Sequence, residues 1–263
     1  MSTGNTALSI RELGVAYSGV RRAHVPELDL SPGQCAAVVG QSGSGKSTVL
    51  LSSLGLAGRN AHVSGSVQIF GQQIVGTRSR QASQIRARAT GLIMQTPVAA
   101  LNPVMRVGDF GARVLRDRGV EPGSIPAAWK EGMRRARLDE RFAERYPHEL
   151  SGGQGQRVAI ALALASGARL LFADEPTSAL DLTHRVEIIE LLRSLQDQHD
   201  IALLLVTHDL SLVRALADQI LVMSDGRVVE QGNATDVLAN PRTVAGQSLV
   251  AAEFRFPTGR VLT

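Results

Sequence analysis

The sequence predicts an α/β fold: a mainly parallel sheet with helices around it, an antiparallel β subdomain at the N-terminus and an α-helical subdomain inserted in the middle. Three observations carry this. Short aliphatic runs at 35–39, 91–95, 170–173 and 201–207 alternate with helical stretches. The first of these runs feeds a glycine-rich turn that opens into a helix. Residues 106–165 read almost wholly as helix, interrupted by Pro122, Pro126 and Pro147.

The elements follow in order. Leu13, Val15 and Tyr17 alternate within 8–30, as in strands of an antiparallel edge sheet. Cys35 opens the first buried run; as the sole cysteine it allows neither an intrachain disulfide nor a cysteine-cluster metal site. A helix is expected from Lys46 to about Leu56, then a strand at 64–70 turned by Gly71. The 91–95 run reads as a strand ending at Gln95, after which Pro97, Asn102 and Pro103 break regularity. Beyond the 170–173 strand comes an amphipathic helix at 182–198, the 201–207 strand and a helix at 210–217. Residues 220–223 and 228–230 form a hairpin around Asp225-Gly226. The expected organisation is one domain, with its core at 1–95 and 166–240, the helical subdomain at about 96–165 and a short tail at 241–263.

Composition narrows the function classes. Aromatics are only 3% of the chain, so the core is built from Leu, Val, Ile and Ala. No apolar run approaches the roughly 20 residues of a membrane-spanning helix. The polar start, residues 1–6, has no signal-peptide pattern, so a cytoplasmic location is expected unless a partner holds the chain at a membrane. A net charge of +4 would suit nucleic acid or anionic lipid, yet there is no basic tail and acidic residues are interspersed. The arginine-dense stretches 78–88 and 134–145 read as solvated helix faces, and no nucleic-acid partner is expected.

Gly40-Gln41-Ser42-Gly43-Ser44-Gly45-Lys46-Ser47 fits the phosphate-binding pattern G-x-x-x-x-G-K-[ST], with a strand before it and a helix after it. The glycines let the backbone curl so that several N–H groups face phosphate oxygens. The helix N-terminus adds partial positive charge, worth up to about 2 kcal/mol. Lys46, one of only two lysines, places a full charge on the β- and γ-phosphates. The Ser47 hydroxyl suits Mg²⁺, a hard cation that prefers oxygen.

The 170–173 strand ends in Asp174-Glu175. Strand C-termini line the ligand crevice of a parallel sheet, so Asp174 is placed to hold Mg²⁺ through water and Glu175 to face an attacking water. His208 follows another strand end, where it can contact the γ-phosphate and fix that water; Gln95 can sense Mg²⁺ or water and swing with its loop. The other histidines, His24, His62, His148, His184 and His199, are read as structural. Ser151, followed by Gly152-Gly153-Gln154, begins a helix and is an N-cap candidate. This is a second anion site. One chain needs only one phosphate cradle, which points to the nucleotide of a partner subunit.

With these motifs the sequence resembles the ATP-binding cassette (ABC) family, over residues 8–238. They fall in the family's order: the P-loop from Gly40 to Thr48, the Q-loop Gln95, the signature from Leu150 to Gln154, the strand ending at Asp174-Glu175, the D-loop Ser178-Ala179-Leu180-Asp181 and the switch His208. Tyr17 matches the aromatic that stacks on adenine. The resemblance implies a P-loop NTPase core, ATP and Mg²⁺ as ligands, and a head-to-tail dimer with a second ABC ATPase subunit, the same or a related chain, that sandwiches two ATP molecules. Each signature then faces the other subunit's P-loop.

Gln95-Thr96-Pro97, Ala100-Leu101-Asn102-Pro103 and Tyr146-Pro147-His148-Glu149 resemble the ATPases of bacterial dipeptide, oligopeptide and nickel importers. That implies two integral-membrane permease subunits, an extracytoplasmic substrate-binding protein reached through them, and a place on the cytoplasmic face of the inner membrane. Two departures stand out. Gly155 replaces a basic or long polar residue, and Asn240-Pro241-Arg242-Thr243 stands where peptide-type members have His-Pro-Tyr-Thr. The short tail looks more like nickel-type or short-chain members. The alternative is a soluble ABC ATPase acting on ribosomes or DNA; a single-site P-loop kinase or GTPase would need neither the signature nor His208.

Overall fold

The computed structural model describes residues 6–255, with side chains to 252. β1 (Leu8–Tyr17) and β2 (Val20–Leu30) form an antiparallel hairpin. Its two-residue turn has positive φ at Ser18 (48°) and Gly19 (78°), the twist that a tight hairpin needs. β3 (Cys35–Gly40) runs through the glycine-rich loop into α1 (Lys46–Ser53). β4 (Ala61–Ile69) pairs with β1, and β5 (Gln72–Gln73) pairs with β4. Next come α2 (Ser79–Ala89) and β6 (Thr90–Ile93). The helical stretch holds α3 (Val107–Asp117), α4 (Ile125–Arg135) and α5 (Gly152–Ala165). β7 (Leu170–Asp174), α6 (Leu182–His199), β8 (Ala202–Val206) and α7 (Leu210–Leu216) follow. β9 (Gln219–Ser224), β10 (Arg227–Asn233), α8 (Ala234–Ala239) and α9 (Val244–Arg255) complete the order.

Two sheets result. The smaller is antiparallel, in the order β2-β1-β4-β5. The larger runs β10-β9-β3-β8-β7-β6; its strands are parallel except for β10 at one edge. The larger sheet is buried on both faces, and the two-residue side-chain period divides its residues cleanly. Cys35, Ala37, Val39, Leu171, Ala173, Leu203 and Leu205 face the helical side, with α3 to α7. Ala36, Val38, Leu170, Phe172, Leu204 and Val206 face α1 and the smaller sheet. Phe172 is fully buried, and aliphatics make up nearly all the rest of both layers. The Cys35 thiol is wholly buried, and that burial raises its pKa far above the ordinary value, which suits a small core residue.

The α/β architecture, the antiparallel N-terminal sheet and the hairpin around Asp225-Gly226 are as the sequence predicts. Several boundaries differ. α1 stops at Ser53, because Gly55 at φ 65° donates to Ser52 O and Leu56 donates to Leu51 O, a Schellman-type stop. β6 ends at Ile93, so Gln95 lies beyond the strand and is exposed; the proline at 97 favours a turn there. The 134–145 stretch is not one helix face: α4 ends at Arg135 and Arg137 takes a left-handed φ of 51°. The described part of the 241–263 tail contains α9. α9 packs Ala245, Leu249 and Val250 on the main core, and Glu230 accepts hydrogen bonds from the amides of Arg242 and Thr243 at its start. No helix among the described residues is long and apolar enough to cross a membrane.

Candidate functional site

The C-terminal ends of β3, β7 and β8 lie side by side, and the loops leaving them bring the first group of residues together. Gly40 and Gly45 are sterically required in the loop after β3. A Cβ on Gly40 would strike the Met223 carbonyl oxygen and one on Gly45 the Arg22 carbonyl oxygen, at φ values of 149° and 101°. Gln41, Ser42 and Gly43 form the exposed crest. α1 begins with no side-chain cap and no acidic residue in its first turn, so its leading N–H groups stay available to an anion. Lys46 folds back over the loop, its Nζ donating to the carbonyls of Gly40 and Gln41 at 2.9 Å each. Burial lowers the pKa of this ammonium, against the pull of Glu175 and Asp174. The Ser44 hydroxyl is buried without a hydrogen-bond partner. A phosphate group would give Lys46 a charged acceptor in place of two neutral ones.

Ser47 Oγ donates to Asp174 Oδ1 at 3.2 Å. Burial raises the Asp174 carboxyl above its ordinary value, and the Ser47 hydroxyl only partly offsets this. A half-buried carboxylate beside a hydroxyl, both hard oxygen donors, fits Mg²⁺, which is commonly bound by one or two carboxylates plus substrate phosphates. Among the described residues there is no cluster of three or more His, Cys, Asp or Glu side chains that could hold a metal.

Glu175 takes a left-handed φ of 49° immediately after β7, a strained conformation of the sort concentrated at functional sites. Its amide donates to Val206 O at 2.8 Å, which ties it to β8. His208 Nδ1 lies 2.7 Å from Glu175 Oε1, and the Thr207 hydroxyl donates to Oε2 at 3.3 Å. The Glu175 side chain is only 17% exposed against 69% for His208, so the histidine sits on the open side of the pair. Asp209 caps α7 through the Ser211 amide and pairs with Arg185 of α6 at 3.2 Å, which braces the His208 turn.

A second group forms around the start of α5. Ser151 Oγ accepts from Gln154 N at 3.3 Å, and Ser151 N donates to Gln154 Oε1 at 2.9 Å, a closed capping box. Gly152 and Gly153 lie tight against Leu180 and His184, so a Cβ on either would crowd that neighbour. Asp181 caps α6 by accepting from His184 N at 3.0 Å, and its other oxygen lies 2.7 Å from His184 Nδ1. Ser151, Gly152 and Asp181 are thus exposed side by side, with Gln154 half-buried and Gly153 buried beneath.

The structure brings Lys46, Ser47, Asp174, Glu175 and His208 to neighbouring strand ends. Thr48 lies one residue further along α1 and is part-buried. Gln95 is exposed two residues beyond β6 and, contrary to expectation, does not end a strand. Tyr17 ends β1, where its hydroxyl accepts from Gly58 N at 3.2 Å and its ring covers Gly58. Sequence reasoning missed Thr207 and the Arg185–Asp209 pair. The polar run Thr207-His208-Asp209 directly after an aliphatic strand was the available signal.

A profile of the ABC transporter family matches residues 24–178. The chain is 38% identical to the peptidoglycan transport ATP-binding protein YejF of Agrobacterium fabrum over 94% of its length, and spans 47% of that relative. It is 36% identical to the oligopeptide transport ATP-binding protein OppD of Salmonella typhimurium, over 90% of this chain and 73% of the relative. Among solved structures it resembles cbiO1 from Clostridium perfringens, described as part of the ABC transporter complex cbiONQ, with a TM-score of 0.79 at 27% identity over 97% of each chain. It also resembles the ATP-binding cassette MJ0796 in a dimeric post-hydrolysis state bound to ADP and Pi, with a TM-score of 0.74 at 28% identity, covering 86% of this chain and 98% of that one.

Proposed function

The chain belongs to the ABC transporter family, and from that premise we propose that it is the ATP-hydrolysing subunit of an importer whose permeases are separate chains. The observation that carries the chemistry is the convergence of Lys46, Ser47, Asp174, Glu175 and His208 on neighbouring strand ends, with Glu175 and His208 2.7 Å apart. The residues from Gly40 to Thr48 cradle the ATP phosphates, and Lys46 neutralises the transferred group. Ser47 and Asp174, with Gln95 after its loop swings in, would hold Mg²⁺, which would neutralise charge developing on the β- and γ-phosphates. Glu175 takes the proton of the attacking water, and His208 holds that water and the γ-phosphate in line. Tyr17 stacks on adenine.

The surface of Ser151, Gly152, Gly153, Gln154 and Asp181 receives the γ-phosphate bound by a second cassette subunit, identical or related. Closure of the pair turns binding energy into movement of the helical subdomain. The permease docks in an apolar groove of about 160 Å³ between β6, α3 and α5, lined by Leu92, Met94, Leu101, Phe110 and Val114. This places the chain on the cytoplasmic face of the inner membrane, with an extracytoplasmic binding protein as an indirect partner. The names of the relatives favour peptide cargo over nickel. The proposed organisation is one domain, with the cassette core at 1–95 and 166–240, the helical subdomain at about 96–165 and a tail at 241–263.

A gentle-detergent pull-down from host membranes, read by mass spectrometry, tests this. Co-purification of two permeases and a second cassette protein is expected. Recovery with ribosomal or DNA-bound proteins alone would overturn the transport reading in favour of a soluble ABC ATPase.

A further inference from the structure

A second charged cavity lies at the opposite end of the larger sheet from Lys46 and Glu175. It holds about 570 Å³ between the β4–β5 turn, α2 and the residue that precedes β7. Arg169 immediately precedes β7 and Asp174 ends it, so the length of this strand, about 17 Å at the usual rise per residue, separates the cavity from the carboxylate site. Its walls include Phe70, Arg78, Arg80, Gln84, Arg88 and Arg169, and no Asp or Glu lines it. None of these arginines forms an ion pair with a described residue, whereas Arg11, Arg106, Arg134 and Arg145 each do. The sequence explains the imbalance: from Leu30 to Gly108 there is neither Asp nor Glu.

Three features make this more than a solvated helix face. Arg169 is held over the Phe70 ring at 4.0 Å, which fixes its plane and leaves its N–H edge free. α2 begins without a side-chain cap and without an acidic residue in its first turn, and Arg78 and Arg80 flank that start. Gln81, Gln84 and Arg88 continue the polar lining along one side of α2, with Ile85 buried beneath. Free guanidinium forks, uncapped N–H groups and side-chain amides all donate, and the lining offers no charged acceptor.

We infer that this cavity is a binding site for a nucleotide-sized, multiply phosphorylated anion, separate from the ATP site and independent of the importer reading. Its volume lies within the range of small-molecule pockets, roughly 300–1,000 Å³. Guanidinium groups suit phosphate because they present paired donors to two oxygens at once.

The test is calorimetric titration of inorganic tripolyphosphate into the full chain, with the P-loop first saturated by a non-hydrolysable ATP analogue and excess Mg²⁺. Binding of one further tripolyphosphate is expected, weakened by added salt. Arg78→Gln and Arg88→Gln should each weaken it by about tenfold, in line with the loss of a charged hydrogen bond. Arg141→Gln, on the helical subdomain, should leave it unchanged, and all variants should keep wild-type affinity for the nucleotide analogue. Absence of binding once the P-loop is filled would overturn the proposal, as would equal binding by the Arg78 and Arg88 variants. Displacement of tripolyphosphate by an equimolar oligoglutamate peptide would also overturn it, assigning the cavity to an acidic protein segment.

Discussion

Two helix N-termini in this chain begin in different ways. α1 starts at a glycine, with no side chain on its leading amides, and only Lys46 closes over the loop. α5 starts at Ser151, whose hydroxyl already satisfies Gln154 N while the Gln154 side chain returns to Ser151 N. The first is an open cradle, ready for phosphate in a single chain. The second is closed on itself and packed against Leu180 and His184. A helix start that carries its own cap is stable without a ligand. A cradle left uncapped gives up that stabilisation and keeps its donors for substrate.

The largest expected effect falls on the open side. Glu175→Gln should lower ATP turnover by about 10²–10⁴-fold while leaving ATP binding in place, measured as phosphate release against nucleotide affinity. Unchanged turnover would remove Glu175 from its role. Lys46→Ala should weaken ATP binding by roughly 10–100-fold, the worth of a charged hydrogen bond, and an unaltered affinity would count against the cradle.

The closed side should respond first in stability. A Cβ on Gly155 would meet the Val98 side chain well inside van der Waals contact. Gly155→Gln, which restores a long polar side chain, should therefore cost about 1–3 kcal/mol in urea unfolding, and adding Val98→Ala should recover part of it. A neutral Gly155→Gln would show that the residue 97–100 turn moves freely over α5. Ser151→Ala should cost about 0.5–2 kcal/mol through loss of the cap, and a smaller loss would mean the box contributes little.

The smallest effect lies outside both sites. Burial pushes the Glu230 carboxyl up, but the Thr243 hydroxyl and the Arg242 and Thr243 amides outweigh it and hold its pKa below the ordinary value. A depressed folded-state pKa contributes stability that is present above the unfolded value and is lost as pH falls through the folded one. Glu230→Gln should therefore lower Tm at neutral pH by a few degrees, about 1 kcal/mol for a chain of this size, and the difference should shrink below about pH 4. A difference independent of pH would assign the effect to packing of α9 instead.

The open site was the more legible in the sequence, and the reason is locality. Gly40, Gly45, Lys46 and Ser47 lie within one turn of chain, and Asp174-Glu175 announce themselves after an aliphatic strand. What joins them spans long separations: Thr207 to Glu175, Ser47 to Asp174 and Arg185 to Asp209 depend on strand order, which periodicity does not encode. Gln95 was misplaced because the aliphatic run 91–94 continues past the last strand bond at Ile93. α9 was hidden because Ala, Gly, Gln and Ser in its first turns give a weak apolar pattern, and its fixing carboxylate, Glu230, lies a hairpin strand earlier. The charged cavity is not legible in the 78–88 stretch alone because Phe70 and Arg169 reach it from the ends of β4 and β7.

The most direct measurement mixes two inactive variants, Lys46→Ala and Ser151→Arg, and follows ATP turnover. In a head-to-tail pair, one of the two composite sites then has an intact cradle from the Ser151→Arg chain and an intact helix start from the Lys46→Ala chain. The expected result is turnover in the mixture well above the sum of the separate variants, rising with total protein concentration. Turnover equal to that sum at every concentration would contradict a site shared between two copies of this chain.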